Sequence, residues 1–361
     1  MNVRQRRLPA RVVLAVRAAL PSPRPQGWQA LQFAAGLAEH VPTTLIGDAG
    51  RPDGGPATLE RWLGRPLPAA LTPVVPSRPS RPPLAGVLFR RALARAASPD
   101  AVLVCRDPRV AAAQPRRRWS HVVMEWHVRP EPGYGALTRP DLHVTVARGL
   151  ADDLRACGVP DDRILLLANA CGLDPERARR RSPSADGPVI AMGLHRRGGL
   201  DLALDAWAAD ASLPPLHIVG RDQGGARADA WSAAVARRGL PGRVQLLGPA
   251  WGPAREALLD GAATWLAAYP DDADTRTRLC PLQVADALGS GLPLVAPDLP
   301  SIQDLAGTAP WSPYRPDDPA DLARAVHAAR GAPAPSAPRP TWADRAATLL
   351  GALAARMEVS P

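Results

Sequence analysis

Chemistry in this 361-residue chain is concentrated where short apolar runs end in glycine and charged residues. The stretch Thr277 to Pro297, TRLCPLQVADALGSGLPLVAP, is the richest. It reads as a loop, a helix over Leu282 to Leu288, a turn at Gly289-Ser290-Gly291 and a buried strand at Leu294 to Ala296. A loop running into a helix aims unpaired N–H groups, and the positive end of the helix dipole, at any anion placed there. Leu279, Cys280, Pro281 and Leu282 therefore suit a phosphate. Asp286 falls one turn further along, where its carboxylate is placed to accept from ribose hydroxyls. A second stretch, Gly193-Leu194-His195-Arg196-Arg197-Gly198-Gly199, lies between an apolar strand at Val189 to Met192 and a helix with Leu200, Ala203, Leu204 and Trp207 on one face. Strand, glycine-rich turn and helix start make a second phosphate cradle. The two stretches together describe a nucleotide site.

The pattern of the chain specifies the scaffold that must hold these groups. A strand at Val12 to Val16 is followed by the loop Pro21 to Gly27 and a helix, Trp28 to Glu39, with Leu31, Ala34, Ala35 and Ala38 inward. Further strands are predicted at Thr43–Gly47, Leu71–Pro76, Ala101–Cys105, His121–Trp126, Leu142–Val146 and Ile164–Ala168, with helices near Leu84–Ala97 and Arg148–Cys157. Apolar runs alternating with helical segments indicate an α/β protein with parallel, doubly wound sheets. Residues 175–188 are rich in Arg, Ser, Pro and Asp without periodicity, which places a linker between a first domain, 1–174, and a second, 189–330. The second domain repeats the alternation, with strands at Pro215–Gly220, Val244–Gly248 and Thr264–Ala268. Residues 331–361 supply a Pro/Ala linker and a final helix, Trp342 to Arg356. Such sheets bind ligands at strand C-termini, which draws attention to Arg106, Glu125 and His127. A satisfied structural histidine and a functional one both fit His127.

The run PLQVADALGSGLPLVAPDLPSIQDL is similar to the signature of the retaining GT-B glycosyltransferases of glycosyltransferase family 4. Asp286, Gly291 and Pro293 match its second half; eight residues before Asp286, where the family has an acidic residue, stands Arg278, so Arg278 and Asp274 are rival candidates for the sugar contact. VVMEWHV, following Cys105-Arg106-Asp107, resembles the segments in which family members carry Glu-x-His and an arginine. The resemblance thus implies Glu125 and His127 beside the reacting groups and Arg106, with Gly27 of the first loop, on the acceptor side. It implies Gly193, Gly199 and Gly248 on the donor side. The family's arginine and lysine for the diphosphate are replaced by Leu194 and Gly198, which leaves Arg196 or Arg197 to grip phosphate or, on the other reading, to be solvated loop charges. Asn169 reads as a turn residue at the crossing into the second domain.

What the resemblance implies as a whole is a pair of Rossmann-like domains facing across a cleft and a final helix that returns to the first. The activity is transfer, with retention, from a nucleotide-diphosphate sugar to a glycan, lipid-linked or small-molecule acceptor. The nucleotide sugar is co-substrate; no cofactor and no metal are required. A degenerate binder of nucleotide sugar or of a protein partner, a sugar-nucleotide epimerase and a phosphorylase-like enzyme are the rival readings. A nicotinamide dehydrogenase is disfavoured because no GxGxxG follows the first strand.

Bulk properties narrow the field. Hydrophobic content of 46% supports globular cores, and no apolar run approaches the roughly 20 residues of a membrane span. The 4 cysteines lie far apart with no CxxC spacing, against a zinc site and in keeping with a reducing cytoplasm. All 44 basic residues are arginine and the net charge is +10. That excess suits anionic partners such as nucleotide sugars or an anionic inner-membrane face. Nucleic acid is disfavoured, because the arginines are scattered and 2 Phe with 3 Tyr offer no stacking platform.

Overall fold

Val12 to Val16 and Ala101 to Cys105 are runs of apolar residues without polar alternation, the pattern of strands covered on both faces. In the computed structural model they are neighbours at the centre of a parallel sheet. The structure describes residues 8–20, 25–48, 55–75, 82–131, 137–192, 199–220, 226–332, 334–335 and 339–358. The chain divides into two compact units, Met1–Asn169 with Pro340–Pro361, and Ala170–Arg339.

The first unit runs β1 (Arg11–Ala19), α1 (Pro25–Ala38), β2 (Thr43–Asp48), α2 (Pro56–Leu63), β3 (Leu71–Val74), α3 (Pro82–Ala96), β4 (Ser98–Cys105), α4 (Pro108–Ala112), β5 (Trp119–Trp126), β6 (Leu142–Thr145), α5 (Arg148–Ala156) and β7 (Ile164–Leu166). Its strands lie in the order β3-β2-β1-β4-β5-β6-β7. Every recorded pairing is parallel.

The second unit runs α6 (Pro175–Arg180), β8 (Val189–Met192), α7 (Gly199–Ala209), β9 (Leu216–Val219), α8 (Ala226–Arg237), β10 (Val244–Leu247), α9 (Gly252–Asp260), β11 (Thr264–Leu266), α10 (Ala273–Thr277), α11 (Leu282–Leu288), β12 (Leu294–Pro297), α12 (Pro300–Ala306), β13 (Ser312–Tyr314) and α13 (Pro319–Ala329). Its parallel order, β10-β9-β8-β11-β12-β13, reverses direction between β8 and β11. That reversal is the switch point at which doubly wound sheets open a ligand crevice. Alternate residues of β8 face opposite cores: Val189 and Ala191 pack with Leu204 and Trp207 of α7, and Ile190 packs with Trp265, Val284 and Leu288.

The last helix, α14 (Trp342–Met357), belongs to the first unit. A Thr341/Asp344 capping box starts it. It lies so close on α1 that a Cβ at Gly36 would come within 2.9 Å of the Ala343 nitrogen. Covered by the sheet on one side and by α14 on the other, α1 is buried from Gly27 to Ala38, Gln29 and Gln32 included. This explains its nearly all-round apolar sequence.

The expected linker at 175–188 is corrected by these elements. Asp174 caps α6 by accepting from the Glu176 and Arg177 nitrogens, and Pro175 occupies the first helical position. Ser184 N donates to Ala262 O at 3.0 Å, so the segment is built into the second unit, and the division falls after Asn169 instead of after Asp174. Residues 273–277, for which the sequence pattern predicts no element, form the short helix α10, held by an Asp272/Thr275 capping box.

Candidate functional site

Two groups of side chains carry the predicted site residues, one in each unit. In the first unit the group lies at the C-terminal ends of β4 and β5. Arg106 directly follows β4, Glu125 is the penultimate residue of β5 and His127 the next but one. Glu125 is wholly buried between two guanidinium groups. Arg106 Nε donates to its Oε2 at 2.7 Å and Arg345 Nη2, from α14, to its Oε1 at 2.6 Å. Burial alone would raise the Glu125 carboxyl, but Arg106 and Arg345 hold it well below the usual carboxylate range.

Arg345 is held by backbone and rings as well. Its Nε donates to Ala168 O at 2.9 Å and its Nη2 to Leu167 O at 3.2 Å, and the guanidinium lies 4.4 Å from the Phe33 ring centroid and 5.4 Å from that of Trp342. Arg106 turns its other end to α1, with Nη1 3.5 Å from Gln26 O and 3.4 Å from Gln29 Oε1. Gln29 Nε2 in turn donates to Asn169 Oδ1. Asn169, expected to be a turn residue, therefore anchors the first turn of α1.

His127 Nε2 is 3.3 Å from Glu125 Oε1, and its side chain is 25% exposed. Burial lowers its pKa and the nearby Glu125 only partly restores it, so the ring is neutral near pH 7. A neutral imidazole at a strand end, backed by a carboxylate, can accept or donate a proton at an incoming hydroxyl. The structure thus brings Glu125, His127 and Arg106 together, and sets the buried Gly27 in the first turn of α1, next to the Gln26 carbonyl that Arg106 approaches. Sequence reasoning missed Arg345 and Gln29. Arg345 lies 220 residues from Glu125, and no local pattern marks such a partner.

In the second unit, α7 starts at the switch point. A Cβ on Gly199 would lie 2.6 Å from both Ala268 O and Tyr269 N, so only glycine lets the helix N-terminus seat against the backbone leaving β11. Gly193, Arg196 and Arg197 lie outside the described residues. Gly248 follows β10 with open space about it. Arg278 caps the C-terminus of α10, and its Nη1 is 3.6 Å from Asp274 Oδ1, so the two rivals for the sugar contact are partners of one another. Leu279 and Cys280 pack on the core beneath α11. Pro281 is the N-cap of α11 and Leu282 its first residue. From the next position Gln283 Nε2 donates to the hydroxyl of Tyr269, which ties the start of α11 to the segment after β11.

Asp286 is held within its own unit. Its Oδ2 accepts from Arg255 Nη1 at 2.8 Å and its Oδ1 from Gly172 N at 2.7 Å, with both charged side chains 6% exposed. Arg255 Nη2 donates to Gly172 O at 3.2 Å and closes the triangle. The glycines after it serve the same docking. Gly291 has φ +78°, and a Cβ there would strike Ala178 O; Arg181 Nη1 donates to Ser290 O and its Nη2 to Glu256 Oε2, at 2.6 Å. The half of the tract from Asp286 to Gly291 therefore receives residues 171–181 of its own unit. Each oxygen of the Asp286 carboxylate thus takes part in this docking.

Among the described residues no cluster of three His, Cys, Asp or Glu side chains could hold a metal ion, and no helix is long and apolar enough to cross a membrane. No family model and no curated protein matches the chain. Solved structures do. The Anabaena protein HepE in complex with UDP-glucose superposes on 97% of this chain and 100% of its own, with a TM-score of 0.62 and 13% identity. Sucrose-phosphate synthase from Thermosynechococcus elongatus covers 96% and 97%, at 0.61 and 14%. AviGT4, a glycosyltransferase involved in avilamycin A biosynthesis, covers 97% and 96%, at 0.57 and 21%. Two parallel α/β units in one chain, matched end to end by such structures, give this protein the GT-B fold of glycosyltransferases.

Proposed function

We propose that the protein is a glycosyltransferase that moves a sugar from a nucleotide-diphosphate sugar, with UDP as the first base to test, to an acceptor held by the first unit. The observation that carries this reading is the seat of α7: a helix N-terminus fixed at the switch point of the second sheet by Gly199 against Ala268 and Tyr269. A helix start there offers its dipole and first-turn N–H groups to an anion, as a diphosphate requires. The likeness to HepE, whose solved complex contains UDP-glucose, supports the same reading. Arg197, or Arg196 beside it, would neutralise charge growing on the leaving diphosphate. With arginine and backbone dipoles in that role, the reaction needs no metal and no cofactor beyond the nucleotide sugar. His127, neutral and backed by Glu125, would exchange a proton with the acceptor hydroxyl. Membership of glycosyltransferase family 4, and with it retention of configuration, is part of the proposal.

Thermal unfolding with UDP, GDP, ADP and TDP tests it. A ligand at 100 times its Kd stabilises by about 2.7 kcal/mol, which raises Tm by roughly 5–10 °C for a domain of this size. One diphosphate should do so, and Arg197→Ala should remove the shift. No stabilisation by any of the four overturns the reading.

A further inference from the structure

The charges around Glu125 do not balance. Two guanidinium groups, Arg106 and Arg345, meet a single carboxylate, and all three side chains are at most 2% exposed. Arg345 sets its Nε on Ala168 O, its Nη2 on Leu167 O and Glu125, and its face against Phe33 and Trp342. Arg106 is held by fewer groups. One of its nitrogens is committed to Glu125, a second makes long contacts to Gln26 O and Gln29 Oε1, and Nη2 is buried with no hydrogen-bond partner among the described residues. A buried guanidinium edge without an acceptor is costly, and a carboxylate or phosphate, taken bidentately, is the group that relieves it. The same edge faces the first turn of α1, a 14-residue helix whose leading N–H groups have no partner within the helix and where Gly27 presents no side chain.

From this geometry we infer that the first unit binds an anionic group of the acceptor, a carboxylate or a phosphate, on Arg106 and the N-terminus of α1. The inference rests on the glycosyltransferase reading for the word acceptor. The excess of Arg106 and Arg345 over Glu125 is what makes an anion welcome beside a carboxylate. His127, on the neighbouring strand end, then meets a hydroxyl of the same molecule.

The test is calorimetric titration of the full chain, saturated with UDP so that the second unit's phosphate site is filled, with three probes: inorganic phosphate, glucuronate and glucose. Glucuronate and phosphate should saturate a site that glucose does not fill, and Arg106→Gln should weaken both by at least about tenfold. Arg106→Lys keeps a charge beside Glu125 but loses the fork; it should weaken both as well, and carries the test alone if Arg106→Gln does not fold. Equal binding of glucose and glucuronate, no response to either anion, or affinities untouched in the variants would each overturn the inference. If UDP itself does not bind, the donor reading fails, while the anion titrations still decide this one.

Discussion

Replacing Asp286 by asparagine keeps the shape of the side chain and removes its charge. The carboxylate is 2.8 Å from Arg255 Nη1, and both side chains are 6% exposed. Breaking such a pair strands a guanidinium away from water and costs about 3–5 kcal/mol. Asparagine retains an oxygen for the Gly172 N–H, 2.7 Å away, so Asp286→Asn belongs at the low end. Asp286→Ala loses that acceptor too and belongs at the high end. For a domain of this size the asparagine variant should melt roughly 6–12 °C lower. The assay is thermal unfolding of parent and variants, followed by UDP titration of the variant at a temperature where it is folded. Loss of stability with UDP affinity within about threefold of the parent is the expected result. A variant as stable as the parent that binds UDP at least tenfold more weakly would refute the reasoning and return Asp286 to the ribose.

Three further outcomes follow from the same contacts. Gly291→Ala should cost about 2–4 kcal/mol in urea unfolding, the sum of a left-handed φ of +78° and a Cβ driven into Ala178 O. His143 is fully buried, takes a hydrogen bond from Trp126 Nε1 at 3.0 Å, and has its pKa pushed down to about 4 by burial and then by Arg163. Because the unfolded chain takes up this proton first, stability falls as pH drops from 6.5 toward 4; about 2 kcal/mol is lost between pH 7 and pH 5, and urea unfolding at the two values should show that difference shrinking in His143→Gln. Glu125→Gln leaves Arg106 and Arg345 facing one another without a counter-charge and should destabilise the first unit by about 3–5 kcal/mol in thermal unfolding. Since the Glu125 carboxyl sits well below the usual range, the parent keeps that contribution down through pH 4.5 and loses it only as the pH falls through the lowered value.

Strands and long helices were legible because their signals are local. Val12 to Val16, Ala101 to Cys105 and Leu294 to Ala296 are apolar without alternation, and each lies in a strand covered on both faces. The short helices α6 and α10 were not read, although their caps are written in the chain as Asp174-Pro175 and as Asp272 with Thr275 three residues on. A helix of five or six residues is too short to show a period, so only its capping residue can reveal it. That Arg106, Glu125 and His127 lie together was legible for the same reason as the strands, since they sit where β4 and β5 stop.

Local pattern determined the α/β class, the alternation of elements and the presence of chemistry at strand ends, because hydrophobic period and turn residues act over a few positions. Which charges neutralise which was decided only by tertiary structure. Glu125 meets Arg345 across 220 residues, and Asp286 meets Gly172 across 114, because parallel sheets and returning helices bring distant segments together in ways that no short window records. That is why a carboxylate within a nucleotide-site motif proved to be a docking point of the fold, while an arginine at the end of β4 was left with an unanswered edge.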